Sequence, residues 1–274
     1  MLDAVLLILR EVLEAALILS LLLALSNKLQ LNYRWSFLAL LLGVAGSWLL
    51  AHYAYDIADA MDGTGQELLN ASLYGAVILS VVVLSLFILP LAFSSAKDIA
   101  STRYNQLAHQ QQLLYFLFVV IVSFSLMREG AEIWIYLSAF AHQEDAMSSA
   151  LIGAAVGAGI GMSLGAIIYY VFAFMRQHYF LPVFLLVVTL LAAGLSMQIA
   201  KQLMQIGLLD SGKPLWDSSF LVDEHSWLGE LLYALVGYDS RPAPVQGFFY
   251  LLTVAPILVA LLWRIWRLRV TTHE

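Results

Sequence analysis

Val5-Leu6-Leu7-Ile8-Leu9-Arg10-Glu11-Val12-Leu13-Glu14-Ala15-Ala16-Leu17-Ile18-Leu19 sets three charged side chains inside a run that is otherwise hydrocarbon. The pattern returns 118 residues later, in Phe124-Ser125-Leu126-Met127-Arg128-Glu129-Gly130-Ala131-Glu132-Ile133-Trp134. An ionised side chain at bilayer mid-depth costs roughly 2.5–3.5 kcal/mol even on the lenient insertion scale. Two copies of Arg-Glu-x-x-Glu, each mid-run, therefore mark a polar site built from two helices. The apolar runs around them decide the fold class. The chain has 274 residues and is 62% hydrophobic and only 12% charged, about half the ~25% charge of a soluble domain. With a mean hydropathy of +0.85 it reads as an all-α, polytopic membrane protein.

Seven runs reach the ~20 residues that a spanning helix needs, at about 4–26, 35–55, 68–93, 113–141, 147–175, 180–205 and 246–267. Met1-Leu2-Asp3 lacks the basic region of a signal peptide, so the first run is expected to be a retained span. Basic residues set the orientation. Lys28, Arg34, Lys97, Arg103, Arg176, Arg264, Arg267 and Arg269 fall on one side, against Lys201, Lys213 and Arg241 on the other. The N-terminus is expected outside and the C-terminus inside. Most loop acids, among them Asp56, Asp59, Asp62, Glu67, Glu144, Asp145, Asp210, Asp217, Asp223, Glu224, Glu230 and Asp239, then face outward. Such a face draws cations and repels anions, although outer loops poor in Lys and Arg need charge for solubility in any case.

The 118-residue offset carries the second run onto the fifth and the third onto the sixth. The chain is expected to form one membrane domain over 1–274, with repeat one at 1–105 and repeat two at 106–205. An external loop at 206–245 and a seventh helix at 246–267 complete it. Three spans per unit invert the second repeat, a recurring transporter plan with the substrate site at the repeat interface. The first and fourth spans then run antiparallel with both motifs near mid-depth.

Helical spacing puts Glu11 and Glu14 on one face with Arg10, and Glu129 and Glu132 with Arg128. Four carboxylates against two guanidiniums leave a formal charge that a cation would neutralise. Carboxylate oxygens suit hard cations such as ferric iron, magnesium, calcium and manganese. The arginines hold the carboxylates ionised and oriented through charge-assisted pairs. The alternative, a structural ion pair on each helix, needs one acid per arginine, and here each has two.

Arg10-Glu11-Val12-Leu13-Glu14-Ala15-Ala16-Leu17-Ile18 and Arg128-Glu129-Gly130-Ala131-Glu132, in the first and fourth of seven runs, resemble the motifs of the oxidase-dependent iron transporter family. That family comprises the bacterial Efe-type iron permeases and the fungal high-affinity iron permease. His225-Ser226-Trp227-Leu228-Gly229 and Gly237-Tyr238 resemble its bacterial branch. The resemblance implies an iron permease of the bacterial inner membrane, a transporter and not an enzyme. In it Glu11, Glu14, Glu129 and Glu132 bind passing iron with Arg10 and Arg128 essential beside them. It also implies iron as substrate with no permanently bound cofactor, a separate oxidase or periplasmic iron-binding partner, and no nucleic-acid partner. One departure stands out: where family members often carry a further acidic pair opening the third helix, this chain has Glu67 and Asn70.

Weaker features are open in both directions. His52, Asp56 and Asp59 at i, i+4 and i+7 form either a capture site or a solvated helix end, and His142 with Glu144 and Asp145 presents the same choice. The 206–245 loop exceeds usual connections and either covers the outer mouth or lies on the membrane surface. Gly153, Gly157, Gly161 and Gly165 read as a helix-packing stripe, Pro256 as a kink, and Ser196 and Gln198 as path-lining or interhelical hydrogen-bonding groups. Other readings are a permease for manganese or lead, or a membrane metal-dependent redox protein. The sequence has no Cys for thiolate sites, no Lys in the seventh run for a retinal Schiff base, and no Glu-x-x-His in the runs for a di-iron oxidase.

Overall fold

Leu- and Ala-rich runs without interior polar breaks favour helix, and every regular element in the described residues is helical. The structure, a computed structural model, describes residues 2–92, 104–140, 144–223 and 237–271, with Ser226, Gly229, Leu232 and Tyr233 between the last two stretches. Among them are eight helices: α1 (Leu2–Lys28), α2 (Arg34–His52), α3 (Ala54–Gly63), α4 (Gly65–Ala92), α5 (Tyr104–Ser138), α6 (Glu144–Phe174), α7 (Gln177–Gln205) and α8 (Pro244–Thr271). Lys97, Asp98, His142, Glu224, His225, Trp227, Leu228, Glu230 and Glu274 lie outside the described residues.

Helix ends are set by local chemistry. α1 stops in a Schellman turn, with Leu31 N–H donating to Ser26 O at 2.9 Å and Gln30 at φ +56°. α7 ends the same way, Leu208 N–H donating to Leu203 O at 3.0 Å, and here Gly207 supplies the left-handed residue at φ +73° without a Cβ penalty. The expected 35–55 run divides: α2 ends at His52, and α3 carries Asp56 and Asp59 on an exposed stub with no buried residue. Met61 and Asp62, at φ +55° and +61°, then turn the chain back into α4.

Six helices are long and apolar enough to cross a bilayer, namely α2, α4, α5 over 110–138, α6, α7 and α8 over 244–264. α1 has 27 residues but carries Arg10, Glu11 and Glu14. Half or more of the apolar window is buried in α4, α5 and α7, against about a fifth in α2, α6 and α8. α1, α4, α5 and α7 therefore form the centre and the other three the periphery. Phe37 and Trp48 on α2, Ile152 and Met162 on α6, and Phe248 and Leu262 on α8 are exposed on that periphery. Faces this apolar are a liability in water and belong against lipid, so the chain is a multi-pass membrane protein.

The three most extensive pairings are α1 with α6, α2 with α5 and α4 with α7. The glycine stripe makes the first of these close: Ser20 Oγ donates to Gly165 O at 2.8 Å, and a Cβ on Gly161 would stand 2.9 Å from Val12 Cγ1. At the end of the bundle where α1 stops and α2 begins, Leu21, Leu25, Trp35, Ile88, Phe118 and Phe184 form a dry core. Trp35 Nε1 donates to Ser26 Oγ at 3.0 Å there, and Lys28 Nζ to Met175 O at 2.7 Å. The charged motifs and the described residues of the 206–243 loop lie toward the other end.

Candidate metal centre

Each charged motif is placed by its helix's packing partner. The α6 glycines draw in α1 along Val5, Leu9, Val12 and Ala16, and Ser47 of α2 seats against Gly130 of α5. The faces left over meet at the α1–α5 crossing, where the two Arg-Glu-x-x-Glu sets converge. Glu11, Glu14, Arg128 and Glu129 are buried, while the side chains of Arg10 and Glu132 keep 33% and 32% exposure.

Arg128 stands at the centre. Its Nη2 donates to Glu132 Oε1 at 2.6 Å and its Nη1 to Glu129, and Nη1 lies 3.7 Å from both Glu11 Oε2 and Glu14 Oε2. One guanidinium fork thus contacts all four carboxylates. Arg10 is looser: Nε lies 3.4 Å from Glu14 Oε1 and 3.8 Å from Glu11 Oε1. One oxygen from each of Glu11, Glu129 and Glu132 lies within 4.8 Å of the others, a spacing fit for one cation. Glu14 is outside that trio and joins it through the two arginines. Glu11 Oε2 and Arg128 Nε are buried without a hydrogen-bond partner. Buried polar atoms in that state cost about 1–3 kcal/mol each, so the ion-pair network leaves polar valence unmet where the carboxylates of the two helices meet.

Two tyrosines bracket the cluster. The Arg128 guanidinium lies 4.8 Å from the ring centroid of Tyr74, a buried α4 residue whose Oη has no hydrogen-bond partner. The Arg10 guanidinium lies 5.0 Å from the ring of Tyr233. Tyr233 belongs to the loop, and its hydroxyl donates to Gln198 Oε1 of α7 while Lys201 Nζ lies 5.3 Å from its ring. Burial pushes the Tyr233 phenol up to about 12, so it remains a donor at physiological pH. The loop is seated by Gly237, φ +69°, which packs on Gly194 of α7 where a side chain would collide with backbone. Tyr238 Oη donates to Val222 O at 2.9 Å, and Leu215 N–H donates to Pro242 O at 2.9 Å.

The remaining sequence candidates are dispersed. Glu67 and Asn70 are half-buried on the first turns of α4 and outside the carboxylate trio. Asp56 and Asp59 are exposed on α3, while His52 stacks on Trp48 at 5.4 Å, so the three do not converge. Side chains of Glu144 and Asp145, like His142, lie outside the described set. Asp217 pairs with Arg241 at 2.9 Å. Gln198 holds Tyr233, and Ser196 Oγ donates to Ala193 O within its own helix. Sequence reasoning missed Tyr74 and Tyr233. Tyr74 carries a faint signal, since it follows Glu67 and Asn70 at i+7 and i+4 on one α4 face; Tyr233 carries none.

Residues 1–270 match the model of the Iron permease FTR1 family. No curated protein matches the chain, and no solved structure does.

Proposed function

The chain belongs to the iron permease FTR1 family, and from that premise we propose that it carries iron ions across the inner membrane of a bacterium, inward, through the α1–α5 carboxylate site. The observation that carries this reading is the meeting of Glu11, Glu129 and Glu132 from two antiparallel helices within 4.8 Å, around an arginine rather than a hydrophobic filling. α1 counts as a seventh span in this reading, because its three charges are paired across the crossing and do not face lipid. The pairings α1–α6, α2–α5 and α4–α7 support two inverted repeats. A two-fold relation that exchanges α1 with α5, α2 with α6 and α4 with α7 carries the first pair onto the second and the third onto itself. The excess of basic residues where α1 ends and α2 begins supports a cytoplasmic position for that end, with the 206–243 loop outside.

Acidic outer segments gather the cation. Glu132 and Arg10, the exposed members, meet it first; Glu11 and Glu129 then replace its water with oxygen ligands, and Glu14 balances charge from the second row. As the cation enters, Arg128 gives up its carboxylates, since a guanidinium and a metal cannot occupy one point. Rocking of the two repeats opens the dry end, and protons returning to the carboxylates release the ion. A separate oxidase or periplasmic iron-binding protein supplies the iron in the state the site accepts.

The test is radioactive iron uptake in a host lacking its own iron transport, comparing the native chain with Glu129→Gln and Glu132→Gln. Uptake is expected to fall at least tenfold for Glu129→Gln and less for Glu132→Gln. Native uptake by both variants, correctly inserted, would remove the carboxylate mechanism. Competition by manganese or lead in the same assay decides whether another cation is preferred.

A further inference from the structure

We infer that the two arginine–tyrosine stacks are the gates of this site, Tyr233 on Arg10 closing the loop side and Tyr74 on Arg128 closing the dry side. This inference rests on the permeation reading above and extends it to residues outside the two motifs. The order along the two helices separates the stacks. Arg10 precedes Glu11 and Glu14 and so lies nearest the start of α1, at the loop end, whereas Arg128 precedes Glu129 and Glu132 and so lies nearest the start of α5, at the dry end.

On the loop side, the Tyr233 ring sits between the Arg10 guanidinium at 5.0 Å and the Lys201 ammonium at 5.3 Å, and its hydroxyl is anchored on Gln198. One loop residue thereby fastens α1 to α7 across the mouth. Arg10 and Glu132 are the exposed members of the cluster, and the ring covers the first of them. The contacts are individually modest, about 0.5–2 kcal/mol for a cation–π pair. A closure of that strength can open on the timescale of transport.

On the opposite side, Tyr74 and Arg128 line a cavity of about 10 Å³ with Leu73, Phe124, Ser125 and Leu195, room for one water at most. Beyond it the path is apolar, through Val77, Val81, Ile121 and Val188. Tyr74 stands where that apolar path begins, and its Oη is buried without a hydrogen-bond partner. A phenol that only packed would be better replaced by phenylalanine, since its unmet hydroxyl costs about 1–3 kcal/mol. A hydroxyl held free in the same cavity as Arg128 and Glu129 is instead an oxygen offered to an ion leaving toward the core. Arg128, when displaced, already rests on the Tyr74 ring and need not be desolvated afresh.

The chain contains no cysteine, so a single Ser125→Cys reports water access to the centre of the site. The assay is labelling by a small, charged, membrane-impermeant thiol reagent in right-side-out and inside-out vesicles, without iron. Tyr233→Ala is expected to raise labelling from the loop face about tenfold or more, the shift expected when a partly desolvated cation–π contact is lost. Tyr74→Ala is expected to raise it from the opposite face. Tyr233→Phe and Tyr74→Phe keep the rings and are expected to keep labelling low. Unchanged labelling in both alanine variants would overturn the gates, as would equal labelling from both faces in the alanine and phenylalanine variants alike, the mark of a merely structural role. Flat labelling beside carboxylate-dependent uptake sinks the gates alone. Gated labelling beside carboxylate-independent uptake sinks the permeation reading alone.

Discussion

Arg10-Glu11-Val12-Leu13-Glu14 and Arg128-Glu129-Gly130-Ala131-Glu132 share one pattern, on two antiparallel helices at one crossing, yet their arginines live differently. Arg128 is buried, touches four carboxylates, and stacks on a buried tyrosine. Arg10 is a third exposed, holds its own helix's carboxylates at 3.4 and 3.8 Å, and stacks on a loop tyrosine. The difference follows from position and not from composition. α5 lies centrally, with Arg128 toward the dry core, whereas Arg10 lies toward the loop end of α1. A repeated motif thus yields one arginine tied to every carboxylate of the cluster and one held loosely at the mouth.

The largest expected effect tests that division directly. Arg128→Gln leaves up to four carboxylates at the crossing without their common partner, and removal of one member of a buried charge network costs about 3–5 kcal/mol. Arg10→Gln loses two long ion-pair contacts and the Tyr233 stack at a partly exposed side chain, a matter of about 1–2 kcal/mol. Thermal unfolding of the purified proteins in one detergent is expected to show a large fall in Tm for Arg128→Gln and a small one for Arg10→Gln. Equal falls would break the comparison. The lysine variants sharpen it further: a lysine at 128 cannot reproduce a planar fork that reaches Glu129 and Glu132 together, so Arg128→Lys is expected to resemble Arg128→Gln.

Much of this site is legible in the amino-acid sequence. Charges at helical spacing inside apolar runs cannot be lipid-facing, so their convergence follows from the energetics of the bilayer, and the observed helices lie over the expected runs. The 35–55 run differs at its end because helical spacing of His52, Asp56 and Asp59 says nothing about a break at Tyr53, where α2 gives way to the exposed stub α3. The inequality of the two motifs is not legible at all, because it depends on which helices flank each one. Tyr74 and Tyr233 escape for a related reason. A tyrosine in an apolar helix, or in a loop, becomes informative only when a guanidinium is seen over its ring.

A second, smaller pair of effects asks whether the two motif helices are seated with equal rigidity. A Cβ on Gly157 would stand 2.5 Å from Val5 O and 2.9 Å from Leu9 N, both backbone atoms of α1 that cannot move aside. A Cβ on Gly46 meets the Met127 side chain of α5, with Sδ at 2.7 Å, and methionine can change rotamer. Gly157→Ala is therefore expected to destabilise by about 1–3 kcal/mol through overpacking, and Gly46→Ala by less. The same thermal assay reads both. A larger loss from Gly46→Ala would mean that α5, rather than α1, depends on the tighter seat.

The smallest effect comes from an arginine–carboxylate pair in water, which calibrates the two inside the bundle. Asp217 accepts from the Ser219 hydroxyl at 2.6 Å and the Ser219 amide at 3.0 Å, and pairs with Arg241 at 2.9 Å. These contacts, Ser219 first, hold its carboxyl below the usual aspartate range. A depressed folded value means that the unfolded chain binds the proton more readily, so the contribution is complete above about pH 4 and is lost as the pH falls below it. Hydrogen exchange at the Ser219 amide, corrected for its intrinsic pH dependence, is expected to stay flat from about pH 8 to 5 and to quicken below about 4. Asp217→Asn should abolish that step. Both side chains are more than half exposed, so the effect is small. If Arg10→Gln also speeds Ser219 exchange at neutral pH, the loop and the first motif are one mechanical unit joined through Tyr233. If only Tyr233→Ala does so, the loop is fastened by α7 through Gln198 and Lys201, and Arg10 is free to follow the cation.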